Sequence, residues 1–506
     1  MASAPAPEAG GNVDVVAGVR LAGRDRFDPF GDQPVDVHLA GGRIVDIGPA
    51  GALPRRGTVL DASGCWLTPG LWDHHVHTVQ WALGTQRTSV EAATSAAHAL
   101  ALVREVAPLA DGRRIGTGYR DALWPDAPSL DAIDAVTGDV PTYLINADAH
   151  SMWLNSAAHR REGFAPAVDG VLRETDAFEV SRRLNEVEPA VADAMVRDAA
   201  AAAAARGVVG VVDLDMGWND EAWRRRLAGG FDLWRVEFAV YPHHFDRALA
   251  EGLVSGEPLR DAASDLVRVG PLKVIADGSL GTRTAATSQP YTDESAGRGT
   301  LNLEPGDLRE LMTAAAGGGL AAAIHAIGDR ANTEALDAFA ATGAWGTIEH
   351  AQLLAASDLP RFARLGVGAS VQPVHLLDDR DLIDALWARQ MSRAYPLRSL
   401  QDAGATLLFG SDAPVAPLDP WAAIAAAVWR TRDGREPWQP DQALDAGSAL
   451  AASTHGGSGD NAATIMPGEV ADLVVCGADP LTASADELRR MPVAATMIGG
   501  RLTHLA

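Results

Sequence analysis

Three histidines fall within four positions in the segment LTPGLWDHHVHT, which spans residues 67–78. Successive side chains of an extended strand alternate between two faces, so His75 and His77 share one face while His74 lies on the other with Trp72. Two imidazoles about 6.5 Å apart along a strand can converge on one cation. Taken alone, the pattern equally fits polar residues that end a strand. The segment raises a metal-site hypothesis that needs ligands from elsewhere in the chain.

Four further ligand-capable residues stand at or near the ends of apolar runs downstream. Catalytic groups of barrel enzymes occupy this position, at the carboxyl ends of the strands. Asp73, on the face of His75 and His77, adds a carboxylate that could orient an imidazole. The downstream residues are Lys273 in PLKVIADGSLGTRTA, His325 in AAAIHAIGDRA, His350 in GTIEHAQLL and Asp412 in LLFGSDAPVAPLDPW.

These residues lie in a part of the chain where apolar strand-like runs alternate with Ala- and Leu-rich helical segments. This pattern indicates parallel βα units. We predict an α/β fold, a (β/α)8 TIM barrel, extending from about Pro69 to Thr431 and followed by a helical region. A barrel needs eight strands and the sequence offers nine candidates, so one belongs to an insertion. The candidates are GLWDHHVH, PTYLINADAH, GVVGVVDLDM, LWRVEFAVYP, PLKVIADGS, LAAAIHAIGD, GTIEHAQ, VGASVQP and ATLLFGSDAP.

Short apolar runs broken by Gly, Asp and Pro occur at both ends of the chain and predict small antiparallel strands. Because chain termini often lie close together, we expect both ends to form one composite β-sandwich. The predicted boundaries are 1–68 for the first part of the sandwich, 69–460 for the barrel with insertions and 461–506 for the second part.

Composition limits the classes of partner. The 506 residues carry a formal charge of −24, which disfavours nucleic acid and anionic membrane surfaces. Two distant cysteines, Cys65 and Cys476, indicate neither a disulfide scaffold nor a cysteine-based zinc site. No signal-peptide pattern or long apolar run occurs, so we expect a cytoplasmic enzyme that acts on a small molecule. These features are compatible with a homodimer.

The ordered set PG-x-x-D-x-H-x-H, then Lys, His, His and Asp, resembles the metal-dependent amidohydrolase superfamily. The stretches DAHSMWLNSAA, KVIADGSLGTRTA, HAIGDRAN and GSDAPVAPLDPW resemble amidohydrolase family 3, which includes N-substituted formamide deformylases. The resemblance covers nearly the whole chain. The sequence departs from this subgroup at Ala149, where a glycine is common. We expect the alanine to affect the geometry of the loop between Asp148 and His150 more than its chemistry.

The resemblance implies one or two divalent metal ions, most often Zn²⁺. His75 and His77 would hold the first ion, and His325 and His350 would hold the second or orient substrate. Lys273 would bridge the ions as a carbamate formed with carbon dioxide, because an ammonium cannot ligate a cation. Two competing hypotheses for this site are a buried ion pair of the lysine with Asp277 and a bridging glutamate such as Glu174.

Asp412 is the implied general acid and base, and a metal ligand as well, because a carboxylate beside an activated water can accept its proton and return it to the leaving nitrogen. A helix-capping aspartate is the competing structural interpretation. On the substrate side we expect His150 to donate a hydrogen bond to the carbonyl oxygen and Trp153 to form an apolar wall, with Asp277 and Arg283 nearby.

The predicted function is metal-dependent hydrolysis of a non-peptide C–N bond, an amide or N-substituted formamide, by metal-activated hydroxide. Hydrolysis of an ester, lactone or cyclic amide, or deamination, would use the same ligands, because selectivity lies in loops. A decarboxylase or isomerase on the same barrel and an inactive binding protein also stay open. The remaining histidines match no motif, and among them His375 is the one expected at the pocket end of the barrel.

Overall fold

The computed structural model describes residues 7–22, 30–85, 87–109, 111–293 and 297–506. Three sheets organise these residues: an eight-stranded parallel barrel sheet, an eight-stranded sheet built from both ends of the chain, and a five-stranded sheet. No helix within the described ranges combines the length and apolarity needed to cross a membrane.

The strands are β1 (Val15–Leu21), β2 (Val35–Ala40), β3 (Arg43–Pro49), β4 (Val59–Asp61), β5 (Trp66–Pro69), β6 (Leu71–Val76), β7 (Thr88–Ser89), β8 (Arg114–Tyr119), β9 (Thr142–Asn146), β10 (Ser151–Leu154), β11 (Val171–Arg173), β12 (Val208–Asp213), β13 (Arg235–Val240), β14 (Val267–Ile275), β15 (Ala322–Ala326), β16 (Gly346–His350), β17 (Gly368–Val371), β18 (Leu407–Phe409), β19 (Leu473–Cys476), β20 (Val493–Ile498) and β21 (Arg501–Leu505).

The α-helices are α1 (Thr78–Gly84), α2 (Ala96–Arg104), α3 (Leu130–Thr137), α4 (Ser156–Glu162), α5 (Thr175–Leu184), α6 (Pro189–Ala204), α7 (Asn219–Ala228), α8 (Phe245–Ala250), α9 (Pro305–Gly317), α10 (Asp329–Thr342), α11 (Leu359–Leu365), α12 (Pro373–Leu386), α13 (Leu397–Asp402), α14 (Pro420–Trp429), α15 (Ala446–Ala452) and α16 (Ala485–Arg489). Short 3₁₀ helices span Asp121–Leu123, Pro242–His244, Met391–Arg393 and Pro440–Gln442.

The barrel consists of β6 followed by β12 to β18, each parallel to its neighbour. The last strand returns to the first through a parallel bridge between Val76 and Ala413. The sequence-based prediction of a (β/α)8 barrel is therefore confirmed. Eight of the nine candidate runs form its strands, and the ninth, Thr142–Asn146, belongs to the five-stranded sheet.

One βα unit shows why these sequences adopt this fold. Every residue of β15 is buried, as expected of a parallel strand covered on both faces. The helix that follows, α10, buries a face that includes Leu336 and Phe339, and it ends at Gly343, whose φ of 66° is left-handed. Glycine reaches this conformation without the steric penalty of a Cβ atom, so the chain can turn towards β16.

Both ends of the chain build the second sheet, in the order β21, β20, β19, β5, β1, β2, β3, with β4 paired to β1. The C-terminal strand β19 runs antiparallel to the N-terminal strand β5, and Val475 pairs with Leu67. The predicted composite domain is thus confirmed, while its residue boundaries stay predictions. An ion pair between Arg235 at the start of β13 and Asp472 beside β19 ties this sheet to the barrel.

The five-stranded sheet, β7 to β11, lies in the chain between α1 and α6, and we call it with its helices α2 to α5 the insert. Apolar side chains cover both faces of this sheet: one cluster contains Leu144 and Trp153, and the other contains Tyr143 and Met152. The insert therefore has its own core and can present its loops to the barrel mouth.

Candidate metal centre and active site

The residues predicted as ligands come together at the carboxyl ends of the barrel strands. His75 belongs to the end of β6, and His77 directly follows that strand. The other four are Lys273 in β14, His325 in β15, His350 as the last residue of β16, and Asp412 three residues after β18.

The histidine run divides between two faces of β6. His75 and His77 point into the barrel, with ring centroids 5.7 Å apart. His74 points the other way, where its Nε2 lies 2.9 Å from the carbonyl oxygen of Thr454 and its ring stacks on Trp72. Strand alternation therefore directs two imidazoles into the barrel, while the third, that of His74, packs on the other face of the strand.

Asp412 closes the first group of ligand atoms. Its Oδ1 lies 3.2 Å from Nε2 of His75 and 3.4 Å from Nε2 of His77. Two ligands of one tetrahedral zinc ion with bonds of about 2.0–2.1 Å are about 3.3 Å apart. Lys273 Nζ lies 3.5 Å from the same His75 nitrogen. The three side chains thus have the spacing of ligands to one divalent ion, with the lysine beside them.

Buried nitrogens without hydrogen-bond partners mark the same region. His325 Nε2 and His350 Nδ1 are each buried and unpaired among the described atoms. Burial lowers the pKa of His325 and His350 well below the usual range, so both imidazoles are neutral and keep a lone pair. Neutral imidazole is the form that binds metal, and a bound cation would satisfy atoms that are otherwise costly to bury. The residues present therefore fit a divalent metal centre.

Backbone geometry brings the ligands to this point. A Cβ atom at Gly410 would lie 2.6 Å from the backbone nitrogen of His75, so only glycine permits this approach. Asp412 has a φ of 57° and donates its N–H to the carbonyl oxygen of His75 at 2.7 Å. His350 has a φ of 71°, which interrupts strand alternation. Left-handed backbone at non-glycine residues is strained and is found at functional sites.

Glu349 orients His75, a role that the sequence pattern does not reveal. Its Oε2 lies 2.7 Å from His75 Nδ1, and both side chains are almost completely buried. Burial opposes ionisation of Glu349, but the hydrogen bond with His75 outweighs it and holds the pKa of Glu349 below its usual range. Asp73, expected to orient an imidazole, instead accepts the backbone N–H groups of His75 and Ser411 at 3.0 and 2.9 Å. Its contribution is therefore to hold the first and last strands together.

A cavity of about 510 Å³ opens above the ligands. Its floor contains His75, His77, Lys273 and Asp412, and the insert supplies one wall. Other residues that line it are Val79, His150, Phe178, Arg182, Asp215, Met216, Trp218, Tyr241, His325, His350 and Val415. A mostly apolar cavity with a few convergent polar groups is the usual form of a small-molecule site.

His150 enters this cavity from the insert as a charged donor. Its Nδ1 lies 2.9 Å from Oε2 of Glu174, and its ring centroid is 5.5 Å from that of His325. Burial opposes the charged form, but Glu174 outweighs burial and raises the pKa of His150 to about 9. The imidazolium therefore carries a second N–H for a ligand. Glu174 itself is committed to His150, Thr282 and Thr284 and does not contact Lys273.

Three residues expected on the substrate side have other surroundings. Trp153 is fully buried in the core of the insert, so it cannot wall the cavity. Asp277 accepts three backbone N–H groups, from Ala286, Ile327 and Gly328, and holds the loops around His325 rather than pairing with Lys273. Arg283 pairs with Asp293 at 2.7 Å and does not line the cavity.

The core position of Trp153 makes a stability prediction. Trp153→Ala should lower the free energy of unfolding by about 3–5 kcal/mol, because a large buried side chain is lost and a cavity remains. Trp218→Ala, at a tryptophan that lines the cavity, should change substrate binding more than stability. Urea denaturation and KM measured on both variants separate the two roles. A Trp153→Ala variant of unchanged stability with a raised KM would contradict the core assignment.

Comparisons with known proteins identify relatives of the chain over nearly its whole length. The family profile described as "Amidohydrolase family" matches residues 58–504. "Protein LONG AFTER FAR-RED 3" of Arabidopsis thaliana is 28% identical over 94% of this chain and 88% of its own length. "N-substituted formamide deformylase" of Arthrobacter pascens is 25% identical over 92% of this chain and 94% of its own length.

A solved structure shares the fold. An uncharacterized metal-dependent hydrolase from Pyrococcus horikoshii superposes with a TM-score of 0.78 at 24% identity, and the match covers 93% of this chain and 99% of the other. The likeness therefore includes the terminal sheet and the insert as well as the barrel.

Proposed function

The chain belongs to the amidohydrolase family, and we propose that it hydrolyses the C–N bond of an N-substituted formamide or similar small amide at a zinc centre held by His75, His77 and Asp412. The observation that carries the proposal is the group formed by these three side chains, with Asp412 Oδ1 at 3.2 and 3.4 Å from the two histidine nitrogens. The family chemistry, metal-dependent hydrolysis of C–N bonds, supplies the reaction class.

Each residue near the metal site has its own part in the proposed reaction. A divalent ion, when bound, lowers the pKa of a water ligand towards about 7 and polarises a substrate carbonyl. Asp412 accepts the proton of the attacking water at its carboxylate and passes it to the leaving nitrogen. His150 donates its free N–H to the carbonyl oxygen as negative charge develops there. Lys273, as a carbamate, adds an anionic oxygen beside His75.

The choice of an amide rests on the relatives and on the cavity. The deformylase relative acts on N-substituted formamides according to its name, and it aligns over nearly all of this chain. The cavity above the ligands has apolar surface from Phe178, Trp218 and Val415 for an N-substituent. Esters, lactones and cyclic amides need the same activated water, so the substrate panel must include them.

The experiment starts from metal-depleted protein. Stepwise addition of Zn²⁺ should restore activity in proportion to bound metal, with amine and carboxylate released from N-substituted formamides faster than from N-acyl amino acids, hydantoin-like rings or esters. Solvent labelled with oxygen-18 should appear in the carboxylate product. Full activity without metal, or turnover that leaves the label in water, would contradict the proposal.

Glu349 offers a test of the metal centre that does not depend on the substrate. Glu349→Gln keeps the size of the side chain but removes the charge that faces His75 Nδ1. Carboxylate partners of metal-bound histidines contribute about 10–100-fold to metal affinity, and we expect a loss of that size. Competition titration with a zinc chelator measures it.

A matched control for this substitution is Glu162→Gln, which changes a hydrogen-bonded carboxylate of the insert, 2.7 Å from the hydroxyl of Tyr143 and outside the cavity. Its zinc affinity should equal that of the original protein. If Glu349→Gln also left the affinity unchanged, His75 would not owe its orientation to Glu349.

A further inference from the structure

A cavity next to the active site is lined by four arginines, and we call it the arginine chamber: Arg87, Arg120, Arg432 and Arg489. We propose that the arginine chamber binds a carboxylate at the far end of the substrate, so that the preferred substrate is a formamide or similar amide whose N-substituent ends in an acid group. This inference rests on the proposed function and narrows its substrate class. The residue that carries it is Arg87.

The arginine chamber lies between the insert and the barrel and has a volume of about 390 Å³. The insert contributes the ends of β8 and β9, and the barrel contributes α1 and the loop after β18. Interfaces between such units are common places for small-molecule sites. The predicted metal ligands, all within the described ranges, do not line the chamber. A group bound there therefore belongs to a part of the substrate remote from the scissile bond.

The chamber and the active-site cavity are neighbours. Five residues line both of them: Gln80, Ala149, Ser181, Pro414 and Val415. Ala149 and Val415 present small apolar side chains at this junction, which suits an aliphatic chain better than a charged one. One substrate molecule can thus have its amide at the metal centre and its far end in the chamber.

The described lining of the chamber contains two carboxylates, Glu91 and Asp378, against the four guanidinium groups. Asp378 pairs with Arg120 at 3.3 Å and with Arg432 at 2.7 Å. Arg489 pairs with Asp486, a residue outside the lining, at 3.2 Å. The lining is therefore net positive, in a chain whose formal charge is −24.

Arg87 differs from the other three arginines because it has no carboxylate partner among the described residues. One of its terminal nitrogens donates to Oδ1 of Asn185 at 2.8 Å and to the carbonyl oxygen of Leu184 at 3.3 Å, and both acceptors are neutral. Burial lowers the pKa of Arg87 to about 10, and the charge of Arg113 lowers it in the same direction. The guanidinium is still charged at neutral pH, so an anion in the chamber would offset the cost of burying it.

The lining favours a carboxylate on an apolar chain. Because Arg87 is the one described lining cation without a carboxylate partner, a singly charged ligand suits the chamber better than a phosphate. A carboxylate also matches the planar guanidinium, which can donate two parallel hydrogen bonds to it. Apolar side chains form much of the remaining lining: Trp81, Ile145, Val374, Leu377, Pro417 and Ala422.

The test uses zinc-loaded protein and pairs of N-alkylformamides of increasing chain length, in which the chain ends either in a carboxylate or in a methyl group. At the length that reaches Arg87, kcat/KM should be at least about 10-fold higher for the acid than for its methyl partner, because hydrogen bonds to charged groups are strong. Arg87→Gln should reduce this ratio by about 10–100-fold, mainly through KM for the acid.

Arg197→Gln is the matched control, because it removes an equal charge from an exposed pair with Asp232, 3.9 Å away. It should leave the ratio unchanged. Arg87→Lys keeps the charge without the planar fork and should keep part of the preference, and it repeats the test if the glutamine variant does not fold.

Equal kcat/KM for acids and methyl partners at every length, or a preference that survives Arg87→Gln, would overturn the role of the chamber and leave the proposed hydrolysis intact. Weaker inhibition by formate in Arg87→Gln, with an unchanged substrate ratio, would assign the chamber to the free acid product and overturn the substrate assignment. If no formamide were hydrolysed, the result would contradict the proposed function, and this inference with it.

Discussion

Asp412→Asn is expected to reduce kcat by about 10²–10⁴-fold, the range that a positioned general acid or base contributes. Asparagine keeps the shape of the side chain and one oxygen, but it cannot take up a proton from water. The loss should therefore appear in kcat, with a smaller change in KM. Steady-state kinetics on the best substrate of the panel, at saturating zinc, measures both.

The position of Asp412 explains why this one oxygen matters. Oδ1 faces His75 Nε2 at 3.2 Å and His77 Nε2 at 3.4 Å, and the backbone N–H of the same residue is fixed to His75. Burial opposes ionisation, but His75 and His77 hold the pKa of Asp412 well below its usual range. The carboxylate is thus charged and faces both histidine nitrogens, as the proposed proton transfer requires.

A variant at a remote carboxylate controls for general effects of losing a buried charge. Asp358 is also buried and hydrogen-bonded, to Thr333 and Arg361, but it lies at the start of α11, outside the cavity. Asp358→Asn should lower stability while kcat changes little. At saturating zinc, the metal should remain bound to Asp412→Asn because His75 and His77 are intact and the asparagine keeps one oxygen that can face the ion. An Asp412→Asn variant that turns over normally, or one that fails only because it cannot hold metal, would contradict the proton-transfer role.

The barrel can be predicted from the sequence because each of its strands is a local signal. An apolar run such as LAAAIHAIGD, followed by a helix with one buried face, identifies a βα unit without knowledge of its neighbours. The exception, Thr142–Asn146, has the same local pattern but pairs with strands of the insert. Pairing partners are a long-range property, so no local pattern could assign that run to a second sheet.

Strand alternation explains why the sequence predicts the orientation of His75 and why it does not reveal the contact of Glu349 with His75. Alternation separates His74 from His75 correctly, although the pairing of β6 with β12 shifts register between Asp73 and Val76. Regular alternation in β16 would place Glu349 and His350 on opposite faces of the strand. His350 instead has a left-handed backbone, so both side chains reach the metal centre. The prediction for Trp153 is wrong because this side chain, although close to His150 in sequence, packs with Leu144 in the core of the insert.

One signal in the sequence supports Lys273 more strongly than its motif does. Lys273 is the only lysine of the chain, and all the other residues in the lysine and arginine count are arginines. Arginine cannot lose its proton at any ordinary pH and cannot form a carbamate. A single lysine that is also buried beside His75 therefore supports the proposed carbamate role.

Lys273→Ala is expected to lower kcat/KM by about 10³-fold or more, because several kcal/mol of transition-state stabilisation depend on an intact metal centre. The neutral amine adds to carbon dioxide through its nitrogen lone pair and releases one proton, which leaves an anionic carbamate. Burial lowers the pKa of Lys273 and so favours the neutral amine. In the alanine variant, acetate or propionate should restore part of the activity by occupying the space of the carbamate.

Lys273→Arg is the matched control, since it keeps a long basic side chain but cannot react with carbon dioxide. It should be inactive, and short acids should not rescue it because the side chain fills the space. The single lysine allows a direct observation as well: protein labelled with carbon-13 at lysine gives the resonances of one side chain, and these should shift when bicarbonate and zinc are added. Activity of Lys273→Arg, or a lysine signal that is unchanged by bicarbonate in active enzyme, would mean that the amine acts without becoming a carbamate. His75 and Asp412 would then hold the metal with an uncharged lysine beside them, and acid rescue of Lys273→Ala should fail in the same preparation.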